Sequence, residues 1–185
     1  MLASASKKSM LMIAALILLA ILAALLGYAA TRPDMFRVQR SAVIKAPVRQ
    51  VFALIDDLRS FNSWNPYERK DPGLKGIHSG AARGVGAVYA WDGRKVGAGR
   101  MEITASQAPN SVTMQLDFVR PFKASNTAEF TLRAEGDTLT IVTWAMHGPA
   151  PYLSKLMGVV LDIDGRVGKD FEAGLANLRA LTERR

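Results

Sequence analysis

The sequence predicts an α+β protein: a curved antiparallel β-sheet wrapped around one long C-terminal helix, preceded by one transmembrane helix. Three observations carry this reading. Residues 10–30, MLMIAALILLAILAALLGYAA, contain no charged side chain. The middle of the chain alternates apolar and polar residues in runs separated by turn signals. The C-terminal segment repeats large apolar residues every three or four positions.

The chain has 185 residues, 49% hydrophobic and 22% charged, enough to bury a core of its own. Cysteine is absent, which excludes disulfides, thiolate nucleophiles and cysteine metal sites. The expected division is a tail over 1–9, an anchor over 10–30, a linker over 31–35 and one domain over 36–185. About twenty apolar residues cross a bilayer as a helix. A cleaved signal peptide is the alternative, with Gly27 to Ala29 as its cleavage site. The apolar run exceeds the roughly 7–15 residues of a signal core, which favours an anchor. Lys7 and Lys8 precede the run and favour a cytoplasmic N-terminus, so the domain is expected outside the cytoplasm, in the periplasm if the source is bacterial.

Past the linker, Met35 to Ile44 reads as a strand. Pro47 suits the first turn of a helix, and Val48, Val51, Phe52 and Ile55 share one helical face. That helix should fade near Asp57 and Leu58, before Asn62, Asn65 and Pro66. GVGAVYAW (84–91) is a strand, and Asp92 to Arg94 form a hairpin turn. GRMEITASQ (99–107), SVTMQLDFV (111–119) and AEFTLRAE (128–135) alternate apolar against polar, and LTIVTWAM (139–146) is the last strand. Such alternation predicts one antiparallel sheet with one face buried. Leu153 to Leu181 supply the covering helix, with a break expected near Gly158 to Gly165. A curved sheet around one helix leaves a gap lined by apolar side chains.

Five stretches resemble the START-like superfamily (SRPBCC), in particular its polyketide cyclase/dehydrase-type branch. They are IKAPVRQVFALIDDLRSFNSWNP, GVGAVYAWDG, VGAGRMEI, VTWAMHG and DFEAGLANLRAL, which together span about Phe36 to Leu181. The resemblance implies the helix-grip fold and an internal cavity for hydrophobic ligands. Such proteins include carriers, sensors and enzymes, so it implies no single reaction.

No catalytic set stands out. His78 and His147 are the two histidines. His147 alternates with Thr143 and Ala145 and is the one acid–base candidate that could face the cavity, although a hydrated strand-end histidine is the plainer reading. Counting from Asp162, the EF-hand glycine and glutamate positions are Val167 and Ala173, so no metal is expected. GVG and GAG open strands rather than helices and lack a third glycine, so no nucleotide cofactor is expected. The net charge of +8 is scattered, which argues against nucleic acid and suits a nearby lipid surface.

The expected ligand is a hydrophobic small molecule or lipid. Tyr89, Trp91, Met114, Phe118 and Phe171 are expected to line the cavity, with Trp64 near its entrance. Glu68 to Asp71 read as a solvated loop, a portal rim with Arg69 and Lys70 near lipid head groups. Two alternatives use the same fold: a cyclase/dehydratase- or hydrolase-type enzyme, with His147, Glu68 or Asp71 as its acid–base group, and a non-catalytic interaction or stress-response module with a filled interior.

Overall fold

A computed structural model describes residues 2–160 and 162–184. They divide into two compact units.

The first unit joins α1 (Leu2–Thr31) to α5 (Tyr152–Val160). Met10–Thr31 of α1 is long and apolar enough to cross a membrane, and its residues from Met10 to Tyr28 are all exposed, unlike those of a core helix. The Tyr152 hydroxyl donates to the Leu26 carbonyl at 3.0 Å. Lys155 Nζ donates to Asp34 Oδ1 at 2.6 Å, and this hydrogen bond holds the Asp34 carboxyl below its ordinary range.

The second unit is a seven-stranded antiparallel sheet in the order β1-β7-β6-β5-β4-β3-β2. Its strands are β1 (Met35–Ile44), β2 (Lys75–Gly80), β3 (Ala87–Asp92), β4 (Ala98–Gln107), β5 (Ser111–Arg120), β6 (Ala124–Glu135) and β7 (Leu139–Pro149). Short helices α2 (Val48–Ile55), α3 (Leu58–Trp64) and α4 (Pro66–Lys70) link β1 to β2, and α6 (Ile163–Thr182) closes the chain. The helix-grip expectation therefore holds. Val112, Met114, Phe130, Leu132, Val142 and Trp144 alternate onto one face and are buried there.

Three details depart from the sequence reading. The C-terminal helical stretch breaks between Val160 and Ile163, inside the expected window, but only its second part, α6, belongs with the sheet rather than the whole of it. A second short strand, β2, contains His78, which faces Tyr89 across the β2–β3 ladder. The helix after Pro47 stops at Ile55 and restarts at Leu58, because Asp57 caps the new start. Its side chain accepts from the Arg59 N–H at 2.9 Å and from the Ser60 hydroxyl at 2.9 Å.

Glycine is costly inside a helix, and two in α6 answer to close neighbours. A Cβ on Gly168 would collide with the Arg40 guanidinium, which ties β1 to Asp164 and Glu172 at 3.1 and 2.8 Å. A Cβ on Gly174 would lie 2.6 Å from Cζ3 of Trp144.

Candidate functional site

The sheet's concave face is filled at one end and hollow at the other. At the filled end α3 drops Phe61 and Trp64 onto Phe130 and Trp144. The Phe61–Trp64 centroids lie 4.7 Å apart, and Trp64 meets Phe130 and Trp144 edge-on at 6.0 and 5.8 Å. Trp64 is fully buried, and its indole N–H donates to the Leu54 carbonyl at 3.0 Å.

At the other end lies a cavity of about 280 Å³. Met101 of β4, Met114, Leu116 and Phe118 of β5 and Met146 of β7 form its apolar wall. Tyr89 and Trp91 come from β3, Phe171 and Val167 from α6. Trp91 meets Phe118 edge-on at 5.7 Å, and Phe171 stacks on Trp144 at 4.1 Å. An apolar cavity of about 150 Å³ holds one benzene, so this one accommodates roughly twice that bulk.

The polar end is built by α4 and α6. Asn65 caps α4, its side-chain oxygen accepting from the Tyr67 N–H at 2.9 Å, and Pro66 takes the first helical position. That start aims Tyr67 and Glu68 at the cavity. The Tyr89 hydroxyl donates to Glu68 Oε1. Tyr67 stands beside Asp170, which takes the Lys70 ammonium. Burial first, then the neighbouring carboxylate, pushes both phenols above their ordinary range. His78 lies 4.7 Å from the Tyr89 ring. Burial and then the Arg59 charge lower its pKa.

Asp71 fixes the rim. It is 4% exposed and accepts the Lys95 N–H at 2.7 Å. That bond, with others from the backbone of Val96, Gly73 and Arg94, holds its carboxyl below the ordinary range. A Cβ on Gly93 would lie 2.6 Å from Asp71 Oδ2, so the close approach requires glycine there. The β3–β4 hairpin is thereby tied to the end of α4, and Val96 of that hairpin joins the lining.

Five of the six residues expected to bind ligand, Tyr89, Trp91, Met114, Phe118 and Phe171, line the cavity. Trp64 is corrected: it is a core residue behind Phe61 rather than an entrance residue, because its indole satisfies its polar atom inside the helical cluster. His147, the weak acid–base candidate, does not line the cavity. Trp144 and Met146 take the concave face, so the pleat turns His147 outward. There it lies 3.5 Å from Glu129, which also pairs with Arg37. The expected solvated loop is a helix instead, with Glu68 in the cavity and Asp71 buried. Tyr67 and Asp170 were missed. The capping pattern Asn-Pro-x-Glu at 65–68 was the available signal for the helix.

A family model described as polyketide cyclase / dehydrase and lipid transport matches residues 35–183. The chain belongs to that family. The match covers the sheet unit, including the α4 and α6 residues of the cavity's polar end. Among solved structures, protein MLL2253 from Mesorhizobium loti is 14% identical, with a TM-score of 0.60 over 80% of this chain and 98% of that one. Ms6760 from Mycobacterium smegmatis is 22% identical, with a TM-score of 0.54 over 78% and 89%. The Aha1 dimer from Colwellia psychrerythraea is 14% identical, with a TM-score of 0.57 over 80% and 96%. These likenesses concern the fold. No curated protein matches the chain.

Proposed function

We propose that the chain is a membrane-anchored binding protein that holds a hydrophobic small molecule or lipid in the cavity of its sheet unit. The single observation that carries this reading is the hollow of about 280 Å³ with an apolar wall and one polar end. Ligand pockets in general combine apolar walls with a few placed polar groups. The family description, which includes lipid transport, supports the same class. The apolar helix α1 is the membrane anchor, and the domain lies outside the cytoplasm. Tyr152, bonded at the level of Leu26, and the exposed Leu153 suit a membrane interface.

The test is titration of the full chain in nanodiscs with the neutral probe N-phenyl-1-naphthylamine, against empty nanodiscs. Saturable binding is expected, and Ala128→Phe, which fills the cavity from β6, abolishes it. Absence of saturable binding overturns the reading. Mass spectrometry of molecules that co-purify from membranes then identifies the natural ligand. Because the chain lacks cysteine, single cysteines placed at Ser6 and Asp137 report topology by membrane-impermeant labelling.

A second reading, a cyclase- or dehydratase-type enzyme, draws on one observation. Glu68 and Asp170 line the cavity, Glu68 hydrogen-bonded to Tyr89 and Asp170 beside Tyr67. Carboxylates so placed can move a proton on a bound ligand. Turnover lost in Glu68→Gln with probe binding intact would favour it.

A further inference from the structure

We infer that the cavity selects amphiphiles whose polar end is a hydrogen-bond donor, an ammonium best and a hydroxyl next, and discriminates against free carboxylates. This rests on the cavity being a ligand site, as proposed above, and adds which ligands it takes.

The argument is the inventory of charge in the wall. Glu68 and Asp170 line the cavity, and no lysine, arginine or histidine does so among the described residues. The Tyr89 phenol is already committed to Glu68 and does not wait for an incoming acceptor. A carboxylate has about four lone-pair sites, and Tyr89 occupies one on Glu68. Acceptor capacity therefore remains at the polar end. Lys70 offsets part of the Asp170 charge but stands outside the lining.

A ligand carboxylate placed there would face the Glu68 charge, and an Asp170 charge that Lys70 only partly offsets, with its water removed. A ligand ammonium would gain a charge-assisted hydrogen bond in the same place. The polar end therefore favours a donor on the ligand.

The test uses three water-soluble probes of one shape: 4-phenylbutylamine, 4-phenylbutanol and 4-phenylbutyrate. Each competes with N-phenyl-1-naphthylamine on the full chain in nanodiscs at neutral pH, with empty nanodiscs as the blank. The amine is expected to compete about tenfold more strongly than the carboxylate, the size of one charge-assisted hydrogen bond, with the alcohol between them. Glu68→Gln should narrow that gap several-fold. Asp170→Asn repeats the measurement should the first variant not fold. A carboxylate that competes as well as the amine, a gap unchanged in both variants, or failure of all three probes to compete while the reporter binds overturns the inference and leaves the proposed function standing. Failure of the reporter itself overturns the proposed function.

Discussion

The two ends of the sheet's concave face are made of the same kinds of residue and end in opposite states. Toward β6 and β7, Phe130 and Trp144 are covered by Phe61 and Trp64 from α3, and the space is full. Toward β3 to β5, Tyr89, Trp91, Met114 and Phe118 face a hollow. Helix α4, the loop at Leu74, the hairpin at Val96 and, from α6, Val167 and Phe171 border it. Aromatic and methionine content does not make a pocket. The pocket exists where the side chains that arrive, Tyr67 of α4 and Val167 and Phe171 of α6, leave the space unfilled.

That contrast yields its largest test in a pair of truncations. Trp64→Ala removes a fully buried ring from the closed end and orphans the Leu54 carbonyl it served. A loss of about 3–5 kcal/mol is expected. Phe118→Ala removes a half-buried ring from the hollow end, where no cavity needs to be created. About 1–2 kcal/mol is expected there, together with a clear change in probe affinity. Urea unfolding of both variants by circular dichroism, with probe titration, measures this. Equal stability losses, or a larger affinity change in Trp64→Ala, would erase the distinction between the ends.

A smaller effect probes the junction. Trp144 belongs to both ends, packed on Trp64 and Phe130 and also present in the cavity wall. Its position depends on Gly174, where a Cβ would lie 2.6 Å from Cζ3 of the indole. Glycine to alanine in a helix interior ordinarily stabilises by about 1 kcal/mol. Gly174→Ala should do the reverse and cost about 1–3 kcal/mol, as overpacking does. It should also shift probe affinity, because the displaced indole moves relative to Phe171. A stabilised variant would show that the indole has room to yield.

The sheet was legible in the sequence because strand alternation is a local property. Met114 and Phe118 could be assigned to one face from spacing alone, and the hollow confirms that face. Trp64 was not legible. Whether an aromatic fills a gap or borders one depends on distances between elements, and its own sequence neighbours do not encode them. Glu68 was misread for another reason: four alternating charges look like solvent exposure, while the Asn65–Pro66 helix start turns one of them inward. His147 followed the pleat rule once Trp144 and Met146 were known to face in. The division of the C-terminal segment between α5 and α6 was half legible, since the glycines between Gly158 and Gly165 marked the break but not the partner that α5 takes on α1.

The smallest effect concerns the polar end itself. The chain has four tyrosines, and Tyr67 and Tyr89 resist ionisation because they are buried beside Asp170 and Glu68. A phenol whose folded pKa is raised contributes stability that is complete below its unfolded value, about pH 10. That contribution falls as the pH rises from there toward the folded value. Spectrophotometric titration of tyrosinate should therefore show a late component that Tyr89→Phe and Tyr67→Phe each reduce. Near neutral pH, Tyr89→Phe should cost only about 1 kcal/mol, the net worth of a hydrogen bond to a charged partner less the solvation that Glu68 regains from the open cavity. If the variants titrate like the parent, the phenols are not held by the carboxylates. The polar end would then present free hydroxyl donors, and its preference for donor-bearing ligands would disappear while the aromatic closed end kept its full stability.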